Sequence, residues 1–195
     1  MEKKGCFSIL FCLLTCLTTL LPEVEGARTG KMIVLNEGPK KLFVFGDSYA
    51  DTGNNWPATN DSTSWSEPYG MTFPGKPSGR WSDGCVLTDY IASHLGIESP
   101  QAYELWKGGG EAQNPQNGMN FAYGGTGVFN TSVNGPNLTT QINSLQQLLE
   151  QNVYTKDDLS SSVALVSSVG NDYITYKLNH SDINILVTYT TKTRD

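Results

Sequence analysis

Apolar positions in this 195-residue chain gather into short runs separated by long, polar, turn-rich stretches. Leu42 to Phe45 are four consecutive apolar residues with β-branched and aromatic members, and Gly46, Asp47 and Ser48 end the run abruptly. That length and content predict a short buried strand. Val163 to Val169 repeat the pattern and stop at Gly170, Asn171 and Asp172, while "MNFAYGGTGV" predicts a strand broken at Gly124 and Gly125. Between these runs the period changes. Leu87, Tyr90, Ile91 and Leu95 recur at helical spacing, with Ser82 or Asp83 as the N-cap and Gly96 as the stop. Leu138, Ile142, Leu145, Leu148 and Leu149 line one side of a second helix, expected from about Thr140 to Gln151. Residues 54–83 and 100–118 have loop composition, and the first stretch is long enough to be functional or to serve as a cover.

Strands alternating with helices imply an α/β fold with a parallel sheet covered on both faces. Ligands in such sheets collect at the carboxyl ends of the strands. Ser48, Gly125 and Asn171 all fall at such ends, so three loops are expected to converge on one spot.

The N-terminus changes how the rest is counted. Lys3 and Lys4 precede the apolar stretch Cys6 to Leu21 and a short tail, "PEVEGA", the layout of a secretory signal peptide. We place its cleavage after Gly26; the alternative, an uncleaved anchor, meets a run a little short of the ~20 residues of a span. Once residues 1–26 leave, Cys85 is the one remaining cysteine and no intrachain disulfide forms. With no motif around it, Cys85 reads as a packing thiol rather than a nucleophile. Residues 27–182 then make a single domain, followed by a divergent, β-prone tail at 183–195.

Thirteen Lys and Arg stand against 19 Asp and Glu, a net charge of -6, with no basic cluster, which excludes nucleic acid as a partner. Asn-x-Ser/Thr triplets begin at Asn60, Asn130, Asn137 and Asn179. With the leader, they point to a secreted, extracellular glycoprotein whose used triplets lie on the surface. Neither "GKPSGR" nor "AYGGTG" has phosphate-loop spacing, and no cofactor or metal is implied.

A serine hydroxyl attacks a carbonyl only when a base takes its proton and donors hold the developing oxyanion. Glycine lets a backbone N–H approach closely, and an asparagine amide supplies a second, directional donor. Ser48, Gly125 and Asn171 form such a set.

"FVFGDSYADTGN", "PYGMTFPGKPSGRWSDG", "GMNFAYGGTG" and "SSVGNDY", in that order from residue 42 to about 178, resemble successive blocks of the plant GDSL esterase/lipase family of the SGNH hydrolase superfamily. The resemblance implies a flavodoxin-like, three-layer sandwich and a secreted serine hydrolase of lipid or acylated-carbohydrate esters. It makes Ser48 the nucleophile, with the Ser48 N–H, the Gly125 N–H and the Asn171 side chain as the oxyanion hole; Gly124 is the rival for the glycine role. Asp47 is either a support for this site or a turn-forming or capping carboxylate.

The same family completes its site with an Asp-x-x-His segment, which this sequence lacks. Ile91 stands three residues before His94 and Lys177 three before His180. His94 is expected to pack on the inner side of its helix, and His180 to sit on a solvated loop, poorly placed as a substitute base. A truncated product without the Asp-His pair is therefore expected, and the alternative to an esterase is an inactive remnant that binds ligand as a decoy.

Overall fold

A computed structural model describes residues 38–55, 63–109 and 115–180. The proposed leader, the tail and Asn60 lie outside those residues. Four strands, β1 (Lys41–Gly46), β2 (Gln101–Ala102), β3 (Gly118–Asn120) and β4 (Ser162–Ser167), form one parallel sheet in the order β2-β3-β1-β4. The helices are α1 (Leu87–Leu95), α2 (Tyr103–Lys107), α3 (Leu138–Glu150), α4 (Lys156–Ser160) and α5 (Asn171–Asn179).

Alternation along β1 divides the core. Phe43 and Phe45 face Met119, Phe121, Leu148 and Tyr154, covered by apolar side chains of α2, α3 and α4. Leu42 and Val44 face Ala50, Ala92 and Ala122, covered by Ile91 and Leu95 of α1. Period-two alternation in a strand buried on both faces produces this three-layer sandwich, the α/β arrangement the sequence implied. On the far side of β1, β4 is an edge strand among the described residues, and Val166 is 59 % exposed.

Several elements differ in detail from expectation. Helix α1 begins at Leu87, not at Ser82 or Asp83, because the Asp89 carboxylate receives the Val86 N–H at 2.9 Å from inside the first turn. Asp83 instead receives the Thr72 N–H. The inner face of α1 is Thr88, Ala92 and the half-buried Ile91 and Leu95, so Tyr90 and His94 point outward. His94 is exposed and not a packing residue, a correction of about 100° in helical phase. In α3, capped by Asn137, Ile142 is 50 % exposed and the buried position beside it belongs to Gln141. The stretch after residue 100 holds β2 and α2, elements too short for periodicity to reveal.

Gln141 explains its own burial. Its Oε1 accepts the Gly46 N–H at 2.8 Å, and its Nε2 donates to the Gly46 carbonyl at 2.9 Å and to the Pro136 carbonyl at 3.0 Å. The carboxamide thus supplies the acceptor that the Gly46 N–H lacks where β3 has ended, and adds a second donor to a carbonyl that already accepts the Tyr123 N–H at 3.0 Å. Gly46 is required here: at φ +140 a Cβ would collide with the Ser167 carbonyl. We predict that Gln141→Leu lowers stability by about 1–3 kcal/mol, the cost of leaving a buried donor unpaired, and that Gln141→Glu is worse because it sets a carboxylate against carbonyls. Urea midpoints test this, and wild-type midpoints in both variants would refute it.

Candidate active site

The chain leaves β1 through a partly buried turn in which Ala50 N–H and Asp51 N–H both bond to the Asp47 carbonyl. Ser48 sits half-buried on that turn, and its hydroxyl has no hydrogen-bond partner among the described residues. The carboxylate before it joins two loops. Asp47 Oδ1 accepts the Tyr49 N–H at 3.1 Å, while Oδ2 accepts the Val169 N–H at 2.7 Å and lies 3.5 Å from Asn171 Nδ2. Asp47 is thus a turn former on one oxygen and, on the other, a brace to the loop after β4. Burial raises its carboxyl, against the Val169 and Tyr49 N–H donors, and nearby Asp172 raises it further.

Asn171 opens α5 behind Gly170, whose φ of +90 suits glycine. Its Nδ2 donates to the Thr126 carbonyl at 2.9 Å and approaches Asp47 Oδ2 at 3.5 Å, the outer limit of such a bond. One amide therefore spans from the residue after Gly125 to the residue before Ser48. The three loops are held together through these neighbours.

The two glycines of "GGTG" differ. The Gly124 N–H is committed to Asp51 Oδ2 at 2.8 Å, and a Cβ there would meet the Trp81 indole. Gly125, at φ +84, has no acceptor for its N–H among the described residues, and a Cβ on it would come within 2.6 Å of Val133 Cγ2. The loop beyond is tied to α5: Asp172 accepts the Val128 and Phe129 N–H groups, each at 2.9 Å, and Thr175 Oγ1 accepts that of Ser132.

Neither histidine is near this turn's chemistry. The first residue of α1 donates its N–H to the Tyr49 carbonyl, whereas His94 lies in that helix's last turn. His180 follows the far end of α5, about 13 Å of helix beyond Asn171. It is exposed, its Nδ1 is 3.0 Å from the Tyr176 carbonyl, and its ring stacks on Tyr176 at 4.2 Å. Cys85 is half-buried, and burial together with Asp89 pushes its thiol up, away from nucleophilic use. Among the described residues no cluster has metal-ligand character, and no helix is long and apolar enough to cross a membrane.

Sequence reasoning passed over the polar residues that carry the turn. Asp51, Asn54 and Asn120 are all buried. Asp51 also accepts the Gly53 and Asn54 N–H groups at 2.8 and 2.7 Å. Asn54 Nδ2 bonds to the Asn120 and Ala122 carbonyls at 2.7 and 2.8 Å, and Asn120 Nδ2 bonds to the Ala50 carbonyl at 2.7 Å. The signal was the density of turn and cap formers in "ADTGNN" directly after a buried strand.

Burial pushes the Asp51 carboxyl up to about 6 against the pull of its N–H donors. A raised carboxyl favours the folded state when protonated, so its contribution is full below the usual 3.8 and is lost as pH rises through about 6. We predict that the stability difference, wild type minus Asp51→Asn, declines by up to about 3 kcal/mol over that window. Parallel pH profiles leave no room for this account. Asp51→Ala, which strips three buried N–H groups of their acceptor, is expected to cost about 1–3 kcal/mol or more by urea unfolding.

The family model described as GDSL-like Lipase/Acylhydrolase matches residues 42–193. One GDSL esterase/lipase of Arabidopsis thaliana is 51% identical over 170 residues, covering 85% of this chain and 46% of that protein. Another is 56% identical over 140 residues, 71% of this chain and 39% of its own length. Acetylajmalan esterase 2 of Rauvolfia serpentina is 34% identical over 169 residues, 76% of this chain and 44% of that protein. This chain spans less than half the length of these relatives.

Proposed function

The chain belongs to the GDSL-like lipase/acylhydrolase family, and from that membership we propose that it is a serine ester hydrolase whose nucleophile is Ser48. The observation that carries the reading is the Asn171 amide, which ties the neighbours of Ser48 and Gly125 together at the carboxyl ends of β1, β3 and β4. In this reading Ser48 Oγ attacks the ester carbonyl, and the oxyanion is met by the Ser48 N–H, the Gly125 N–H and an Asn171 N–H. The commitment of Gly124 to Asp51 supports Gly125 in that role, and the weak engagement of one Asn171 N–H leaves it capacity for a substrate oxygen. Removing one such donor typically costs ~3 kcal/mol of transition-state stabilisation.

Substrates are esters of lipids or acylated carbohydrates. The leader-like residues 1–26 and the Asn-x-Ser/Thr triplets support secretion to the extracellular space. Asn130 and Asn179 are exposed acceptors, while Asn137 is half-buried and its Oδ1 caps α3 by accepting the Thr140 N–H at 3.0 Å. Secreted protein is expected to lose mass on treatment with a glycan-removing amidase, and less so after Asn130→Gln with Asn179→Gln. An unchanged mass on amidase treatment of the unsubstituted protein rejects the glycoprotein reading.

A general base is worth ~10²–10⁴-fold, and no Asp-x-x-His segment occurs in these 195 residues. We expect the purified chain to hydrolyse p-nitrophenyl acetate slowly, at ~10²–10⁴-fold below a site with its base, and Ser48→Ala to reduce the rate to that of buffer. Equal rates with and without the Ser48 hydroxyl would falsify the nucleophile assignment. The placement of both histidines at helix ends favours a second reading, an inactive remnant that binds ligand without turnover. Labelling of Ser48 by a fluorophosphonate decides against that alternative.

A further inference from the structure

Between α2 and α3, on the Phe43 side of the sheet, a groove of about 350 Å³ opens to solvent. That volume lies within the ~300–1,000 Å³ of small-molecule sites. Neither Ser48 nor Asn171 lines it. Asn54, Phe121 and Gln141 are its deeply buried members, and the half-buried Tyr103 and Tyr123 contribute aromatic surface. Helix α3 contributes Thr140, Asn143, Ser144 and Gln147, spaced three and four residues apart and so forming one polar stripe.

This lining selects among ligands. No Leu, Ile, Val or Met belongs to it, so an acyl chain would bury little apolar surface there. Its charged residues, Glu104 and Lys107, sit 3.6 Å apart and cancel, leaving no net charge to hold phosphate or carboxylate. The amides and hydroxyls of the α3 stripe both donate and accept. Tyrosine adds a flat apolar face with a polar tip. An uncharged ligand with C–H faces and hydroxyl edges matches both sets of groups. We propose that this groove binds a neutral saccharide, with Tyr103 and Tyr123 against the faces of a sugar ring and Thr140, Asn143 and Gln147 on its hydroxyls.

The groove shares a peptide with the nucleophile turn. The Tyr123 N–H and Gln141 Nε2 both donate to the Gly46 carbonyl, at 3.0 and 2.9 Å, two residues before Ser48. Sugar binding stands apart from the Ser48 reading, since Ser48 does not line the groove.

The test titrates the full chain with methyl glucoside, cellobiose and xylobiose, with hexanoate and inorganic phosphate in parallel, followed by saturation-transfer NMR and calorimetry. At least one sugar is expected to bind with a Kd near ~1 mM, and Tyr123→Ala to weaken it by about tenfold or more. Asn143→Ala combined with Gln147→Ala, at two exposed positions, is expected to weaken it comparably without disturbing the fold. Ser48→Ala leaves sugar binding unchanged, so loss of hydrolysis and loss of binding are read separately. Absence of binding by all three sugars, full binding in both groove variants, or displacement by hexanoate or phosphate overturns the proposal.

Discussion

Peptide groups that leave a sheet while still buried must find hydrogen bonds elsewhere, and the end of β1 is where this constraint is most severe. β3 stops at Asn120, which faces Val44, two residues short of the end of β1, yet Gly46 and Asp47 remain fully enclosed. Gln141 replaces the missing acceptor of the Gly46 N–H, and the Asp47 carboxylate collects N–H groups from its own turn and from the loop after β4. The serine turn exists because side chains from distant segments complete its backbone. Without those side chains, an unpaired buried group costs about 1–3 kcal/mol each, a large share of the stability of a small domain.

The same constraint separates what was legible in the sequence from what was not. Leu42 to Phe45, the Leu-rich face of α3 and the Gly-polar endings of β1 and β4 were readable, because apolar periodicity reports burial directly. From these alone came the parallel sheet and the three convergent loops. Gln141 was not readable: its position belongs to the apolar stripe by spacing but carries a carboxamide, and only the unpaired N–H of Gly46 accounts for it. The outward turn of His94 was hidden for a related reason, since Tyr90 and Leu87 made two adjacent faces of α1 look equally apolar. Which glycine of "GGTG" keeps a free N–H depended on a carboxylate 73 positions away, a separation no local pattern encodes.

Edges and faces carry the remaining asymmetry of the fold. β1 is enclosed on both sides and both faces, whereas among the described residues β4 pairs with β1 alone. Val166, Val169, Tyr173, Ile174 and Leu178 are between 46% and 72% exposed on and after that strand. Single exposed apolar residues are ordinary, but five along one strand and the following helix form a surface prone to self-association at high concentration.

The anchoring of residues 128–132 on α5 has a mechanical consequence. Asp172 and Thr175 lie one helical turn apart and grip the loop at both ends, so the loop cannot slide without uncoiling the start of that helix. Val133, which abuts Gly125, is carried on the same strap. The start of the helix and the glycine are thereby joined by one continuous run of hydrogen bonds and van der Waals contact.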